Sequence, residues 1–390
     1  DYIKVLRRLL LFLSKMKDNK YVQTGNETKL NLYVPAFPTK AFYKACSKVI
    51  SVEKKMPCIS VLLSITSACK FHCNHCYQKL DKGKDVDIEI LTDIVRKLDE
   101  MGVAFFNIEG GEPFLVFDRL KKVCSAVKTG EIWINSTGDG ITAEKLQILK
   151  NLGVKGIMFS IHSSKPEIIN KFMGKDNAWE KLNKGIELCH EAGLDVAANS
   201  CLMKNDFYNG SFQEIMNLAK QLGVSILQLI KPKPSGAWLL TDMDYFSEED
   251  LNYIKKLAFD YNNRKEFMYY PFIAAQIAEE DTEMFGCTAG GTDRFYINSM
   301  GDVQPCEFLN ISFGNIKNGN FEEIYDKMRQ VFETPGDCWI CEKYSKQIGT
   351  IYQENQLKTL PIPPELAVDV YKNWERGKTP DFYDKVVKIK

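Results

Sequence analysis

Cys69, Cys73 and Cys76 lie three and then two residues apart in the run Cys-Lys-Phe-His-Cys-Asn-His-Cys-Tyr. Thiolates are soft donors that select zinc, copper(I) or iron–sulfur clusters. A closed structural site normally takes four ligands, whereas a site that performs chemistry keeps a position open. No further cysteine follows until Cys124, so a four-iron cluster on this triplet would have one iron free to bind another molecule. His72 and His75 stand in the same run, and a zinc site completed by either is the alternative. A second group, Cys287, Cys306, Cys338 and Cys341, has four thiols. Four suffice for one fully ligated four-iron cluster, or for a zinc-ribbon-like site. A fully ligated cluster has no iron open to substrate, which leaves electron transfer or stapling of the fold as its roles.

Other residues with chemical potential lie between these groups. The run Asn107-Ile-Glu-Gly110-Gly111-Glu112-Pro113 has paired glycines that let the backbone approach a ligand closely and a proline that stiffens the turn. His162 follows a predicted strand, where it could exchange a proton with substrate or hold a loop by hydrogen bonding. His190 falls on a predicted helix and reads as structural. Cys46, Cys58, Cys124 and Cys189 sit in apolar contexts and read as small buried hydrophobes. Cys201 ends a predicted strand and could face an active site.

The elements that must position these residues alternate from residue 57 onward. Short apolar, β-branched or aromatic runs predict strands at 58–65, 103–109, 131–136, 156–161, 194–201 and 225–231. Helical periodicity fills the gaps, at 87–101, 117–128, 142–152, 178–192 and 211–222, with 247–263 after the sixth strand. Such β-α units in series imply parallel strands with right-handed crossovers, in an open sheet or a curved barrel. The candidate residues fall at the carboxyl ends of the strands, where parallel sheets place their sites. Two short strands around a turn at 299–302 and a helix near 321–333 accompany the late cysteines. Residues 2–16 read as a basic amphipathic helix that packs on the main domain or lies on an anionic membrane surface.

Composition narrows the class. The chain has 390 residues, which suggests one large domain with additions or two to three units, and its 45% hydrophobic and 26% charged content is ordinary for a globular enzyme. Lys plus Arg equals Asp plus Glu at 51 each, which gives no case for a nucleic-acid partner. The 12 cysteines are unevenly spaced, fitting metal ligation better than a disulfide framework. No apolar run is long enough to cross a bilayer and no signal-peptide pattern is visible. A reducing cytoplasm is expected, with peripheral membrane contact through 2–16. The chain opens on Asp1, so a leading segment is expected before it.

The triplet resembles the signature of the radical S-adenosylmethionine (radical SAM) superfamily, in which the methionine end of SAM occupies the open iron. Gly-Gly-Glu-Pro one β-α unit later resembles the motif that binds the SAM amino group, implicating Gly110, Gly111, Glu112 and Pro113. The resemblance also implies contact of the Tyr77 loop with adenine, and SAM contacts from Ser136 and Ser160 at the third and fourth strands. Asn199 and Ser200 on the fifth would reach the ribose. His75 stands where an aromatic residue is usual, and Met173 where an arginine is common, with Lys171 as a substitute for it. The implied fold is α/β, a partial (β/α)6 TIM-like barrel.

The late cysteines, with four residues between Gly301 and Cys306, resemble the SPASM/Twitch extensions of the family. They imply one auxiliary [4Fe-4S] cluster. Expected boundaries are a lead-in at 1–56, the barrel at 57–280, the auxiliary domain at 281–345 and a tail at 346–390. The implied activity is cleavage of SAM to a 5′-deoxyadenosyl radical, with electrons from a flavodoxin or ferredoxin. That radical takes hydrogen from a peptide or protein substrate, with His162 and Cys201 as candidate catalytic groups. A membrane lipid, isoprenoid or other small metabolite is the alternative substrate. An iron–sulfur electron carrier or scaffold is the non-enzymatic alternative.

Overall fold

The structure, a computed structural model, describes residues 2–50, 59–243 and 245–389; Cys58 and the expected start of the first barrel strand lie outside them. The N-terminal part comprises α1 (Tyr2–Met16), the hairpin β1 (Val22–Thr24) and β2 (Glu27–Lys29), and α2 (Lys40–Ile50). The central part runs β3 (Ser60–Ser64), α3 (Ile88–Glu100), β4 (Phe105–Glu109), α4 (Phe117–Ala126), β5 (Glu131–Ser136) and α5 (Ala143–Asn151). It continues with β6 (Val154–Ser160), α6 (Pro166–Met173), α7 (Ala178–Ala192), β7 (Asp195–Cys201), α8 (Ser211–Gln221) and β8 (Ile226–Ile230). Then come α9 (Glu248–Asn263), β9 (Phe272–Ala275), α10 (Gln276–Glu279), β10 (Arg294–Ile297), β11 (Asp302–Gln304) and β12 (Gly314–Asn315). Helices close the chain: α11 (Phe321–Val331), α12 (Ile340–Lys343), α13 (Ser345–Glu354), α14 (Pro364–Tyr371) and α15 (Asp381–Lys388).

Local chemistry sets the helix ends. Asp87 caps α3 by accepting from Glu89 N, and Ser247 and Asp250 form a reciprocal capping box at α9. Gly174 and Gly193 end α6 and α7 in the left-handed conformation that a side chain would strain.

The strands form one sheet in the order β12-β11-β10-β3-β4-β5-β6-β7-β8-β9, parallel from β10 through β9. The six predicted strands are β3 to β8. Sequence reading missed that β9 extends the parallel run at one edge and β10 at the other. Through β10, the region of the late cysteines is hydrogen-bonded into the barrel sheet beside β3. The sheet stays open, because no ladder joins β9 to the β10–β12 ribbon among the described residues. β3 and β4 are buried along their whole length, as sheets covered on both faces require.

The larger core lies between the sheet and its outer helices. A smaller one fills the concave face with Phe105, Trp133, Met158, Ile226 and Phe272, and Leu32 from the lead-in inserts among them. Lys29 follows it in, pairing with Glu131 at 2.6 Å and donating to Val34 O at 2.8 Å. Glu131 also accepts from Ala36 N at 2.7 Å and Trp133 Nε1 at 2.8 Å. The lead-in is thus a plug in the amino-terminal mouth of the barrel. The last 45 residues, expected as a tail, fold back as helices; Leu360 N donates to Leu80 O at 2.9 Å, and α15 packs on α1.

Candidate active site and cluster loops

The Cys69–Cys76 loop leaves the carboxyl end of β3 and is fixed by its backbone. Thr66 Oγ1 and Ser67 N donate to Asp85 at 2.7 and 3.0 Å, while His72 N and Asn74 N donate to Met173 O and Phe172 O, both at 3.0 Å. From the β4 end, Gly111 N donates to Thr66 O at 2.7 Å and Glu112 N to Ala68 O at 2.8 Å. A Cβ on Gly111 would stand 2.3 Å from Ala68 O, so the glycine is there to let two loops lie backbone on backbone.

The Glu112 carboxylate is spent within the protein. It accepts from Ser136 Oγ, Thr137 N, Thr137 Oγ1 and Phe114 N at 2.6–3.1 Å. Glu112 and Ser136 therefore tie the ends of β4 and β5 together, and Pro113 opens the buried turn that follows. Gly110, Gly111 and Ser136 border the central cavity; Glu112 does not.

The three thiols are half-buried, and Cys69 and Cys73 pack against Phe71, Ile169 and Met173. Burial pushes Cys73 up to about 12 and Cys76 up to about 11, and neighbouring thiolates push in the same direction. Such thiols need a bound cation to ionise, which a metal cluster provides. The all-sulfur donor set suits an iron–sulfur cluster. His75, the zinc-ligand alternative, instead stacks on Phe172 at 4.8 Å and meets His162 edge-on at 4.5 Å; burial lowers it to about 4.

Above this loop, polar side chains from successive strand ends border the cavity. Asn107 on β4, Asn135 on β5, Ser160 on β6, Asn199 on β7 and Gln228 on β8 face it. Both polar atoms of the Asn107 amide, and the amide oxygens of Asn135, Asn199 and Gln228, are buried without a protein partner. Each such atom costs about 1–3 kcal/mol unless a ligand satisfies it. A ring of them fits a ligand with many hydrogen-bonding groups, as SAM has. Glu109 accepts from Tyr77 Oη and, at 3.0 Å, from Asn135 Nδ2; burial raises it to about 8, so it is protonated at neutral pH. Tyr77 thus borders the cavity with its hydroxyl already engaged.

Other candidates are distributed unevenly around this cavity. Cys201 borders it, and burial raises its thiol to about 12. His162 does not border it: its Nδ1 accepts from Cys201 N at 3.1 Å, and burial followed by the His75 charge hold it well below its ordinary value. That is the geometry of a neutral ring bracing β7. Ser200 turns away and donates to Ile161 O. Lys171 is exposed on α6.

The cations at the cavity are Lys231 and Lys233, which sequence reading left without a role. Both reach Glu342 at 2.8 Å and stand over the Trp339 ring, at 4.2 and 3.3 Å from its centre. The signal available in the sequence was their place at the carboxyl end of the sixth predicted strand.

Lys233 also borders a second, small cavity with Cys287, Cys306, Cys341 and Arg294. Arg294 pairs with Glu280 and Glu307, and its Nη2 lies 3.9 Å from Cys306 Sγ. Cys338 is not at this cavity: its N donates to Arg376 O at 3.2 Å and its Sγ stands beside Asp337. Three of the four late thiols therefore border one cavity and the fourth sits on the adjoining turn. The sulfur donors at this cavity are again thiols, the ligand type of an iron–sulfur cluster.

Comparison with known proteins agrees with this geometry. The radical SAM superfamily model matches residues 63–220, and the SPASM iron-sulfur cluster-binding domain matches residues 287–343. The AdoMet-dependent heme synthase of Nitratidesulfovibrio vulgaris is 26% identical over 324 residues, covering 75% of this chain and 86% of the relative. The GTP 3′,8-cyclase of Aquifex aeolicus is 27% identical over 276 residues, covering 63% and 81%. Among solved structures, Streptococcus suis SuiB bound to precursor peptide SuiA aligns with a TM-score of 0.58 at 18% identity, covering 79% of this chain and 73% of SuiB. Native anSMEcpe with bound AdoMet aligns at 0.55 and 16%, covering 85% and 95%. The chain thus carries a radical SAM superfamily domain at residues 63–220 and a SPASM iron–sulfur cluster-binding domain at residues 287–343, the make-up of an enzyme that uses SAM and iron–sulfur clusters.

Proposed function

We propose that Cys69, Cys73 and Cys76 hold the SAM-binding [4Fe-4S] cluster and that the amide ring above them holds SAM and the reacting end of the substrate. With both cofactors bound, the chemistry supplied is reductive cleavage of SAM to methionine and a 5′-deoxyadenosyl radical that takes hydrogen from the substrate. The protein's part is to bind, orient and keep water out. Asn107, Asn135, Asn199 and Gln228 supply the hydrogen bonds, and protonated Glu109, braced by Tyr77, stays uncharged in the cavity wall. The loop after β8 covers the cluster loop: Ala237 N donates to Cys76 O at 3.0 Å, and Trp238 borders the cavity. Cys287, Cys306 and Cys341, with Cys338 closing in, would hold the auxiliary cluster, with Lys233 between the two sites.

The observation that carries this reading is the ring of unpartnered amides in a cavity that His75 and Tyr77, flanking Cys76 of the thiol loop, also border. After anaerobic reconstitution the enzyme is expected to hold ~8 irons per chain, for two four-iron clusters. Dithionite reduction should then yield 5′-deoxyadenosine from SAM. Cys73→Ala should drop the iron to ~4 and abolish that product. A cluster-replete wild type that makes no 5′-deoxyadenosine would return the protein to the electron-carrier reading.

For the substrate we propose a molecule with an apolar body. A larger chamber of about 550 Å³ lies in the open seam between β9 and β10, within the range of small-molecule sites. It shares Tyr33, Gln228, Ile230, Glu307 and Phe308 with the SAM cavity. Gln228 Nε2 donates to Tyr33 Oη across this common wall. A peptide is the second reading, supported by the fold shared with SuiB, whose solved structure holds its precursor peptide. Incubation with lipid extracts and with peptide pools separates them: the true class raises 5′-deoxyadenosine above the substrate-free rate and gains or loses mass.

A further inference from the structure

Helix α1 presents two different faces. Inward, Phe12 stacks on Phe285 at 5.9 Å and meets Phe382 of α15 edge-on at 6.2 Å, and all three border the seam chamber together with Met16. Outward, Ile3, Leu6, Leu10 and Leu13 are 64%, 45%, 55% and 51% exposed. Their spacing of three or four residues draws one apolar stripe along the helix. A contiguous exposed stripe of this kind marks an interaction surface. Its charge says which. Residues 2–17 contain no Asp or Glu and carry Lys4, Arg7, Arg8, Lys15 and Lys17, with Arg7 and Lys17 exposed beside the stripe. Arg8 is turned in and donates to Ile389 O at 3.4 Å, binding α1 to the end of α15.

Apolar residues flanked only by cations match a surface with an apolar interior and an anionic skin. We propose that α1 lies in the interface of an anionic bilayer and admits the apolar chain of a membrane lipid to the chamber behind it, an inference that rests on the apolar-substrate reading above. The aromatic lip of Phe12, Phe285 and Phe382 is the entrance. The chamber then runs inward to the Tyr33–Gln228 wall, beyond which lies the SAM cavity. A lipid whose chain fills the chamber has its reactive carbon at that wall.

The reconstituted full-length enzyme is sedimented with vesicles of phosphatidylcholine alone, or with about one third phosphatidylglycerol. Binding to the anionic vesicles is expected, and it should weaken at least about tenfold in Leu6→Glu/Leu10→Glu. Arg7→Glu/Lys17→Glu should weaken it comparably at low salt. Iron content and circular dichroism serve as folding controls, and the second pair changes only exposed charges. Absence of binding, or binding untouched by both pairs, overturns the docking. A fluorescent polyene fatty acid probes the chamber separately and should bind saturably, with loss of binding in Ala274→Trp, which fills the chamber wall. Vesicle binding without probe binding would sink the chamber and the apolar-substrate reading while leaving the docking. Probe binding without vesicle binding would do the reverse.

Discussion

Glu279 is half-buried on the wall of the seam chamber, where the lead-in meets the far edge of the sheet, with Asn31 Nδ2 donating to its Oε1 at 2.8 Å. Burial raises its pKa from 4.5 to about 8, against the opposing Asn31 hydrogen bond. The native protein therefore keeps this proton between pH 4.5 and about 8, while the unfolded chain has released it. The stabilising contribution is complete below pH 4.5 and declines as pH rises toward 8. Glu279→Gln keeps the shape and the hydrogen bond to Asn31 and cannot ionise. Its Tm relative to wild type should rise with pH by several degrees between about pH 5 and 8, read by calorimetry. A difference that stays constant with pH would mean the native carboxyl is ionised. At this same scale lies the contrast between His162, which the sequence made a proton-transfer candidate and the fold uses to brace Cys201 N, and Lys233, which the sequence left aside and the fold sets between two cavities.

At the scale of elements, the site depends on loops from β3 and β4 that meet backbone to backbone. Gly111→Ala puts a methyl 2.3 Å from Ala68 O, and backbone cannot step aside as a side-chain tip can. The expected cost is about 1–3 kcal/mol of stability, read by urea unfolding. Iron should fall from ~8 to ~4 per chain, with the loss confined to the SAM-binding cluster. An alanine variant with full iron would show that the contact is not what shapes the loop. The same logic explains the lead-in. Leu32 and Lys29 belong to no regular β-α unit, yet they fill and ion-pair the concave face that an open sheet would otherwise leave wet.

Across the whole molecule, the barrel and the SPASM region share a sheet and a charge cluster. Lys231 and Lys233 leave the end of β8 and both terminate on Glu342 of α12. Glu342→Gln would leave two buried ammonium groups without a carboxylate, and removing one partner of a buried pair costs about 3–5 kcal/mol. The denaturation midpoint should fall accordingly, with tryptophan fluorescence from the Trp339 region changing before the barrel's helical signal. An unchanged midpoint would show that the lysines find other partners. Among the described residues no helix is long and apolar enough to cross a membrane.

The six β-α units, the thiol loop after β3 and the Gly-Gly-Glu-Pro turn after β4 were all readable from sequence. Each is local: alternation, helical periodicity and turn residues act over a few positions and leave their mark in order along the chain. Tertiary structure alone decided that β9 and β10 extend the sheet, because pairing β10 with β3 joins residues more than 230 positions apart. It also decided that Glu112 serves Thr137 and Ser136, that Cys338 stands off from its three companions, and that the open seam encloses a chamber. These outcomes depend on which distant surfaces the chain brings together, and long-range burial carries no period that a sequence window can register. The triplet's spacing announced an open coordination position; the fold supplied a cavity ringed by amides beside that loop, bordered by His75 and Tyr77.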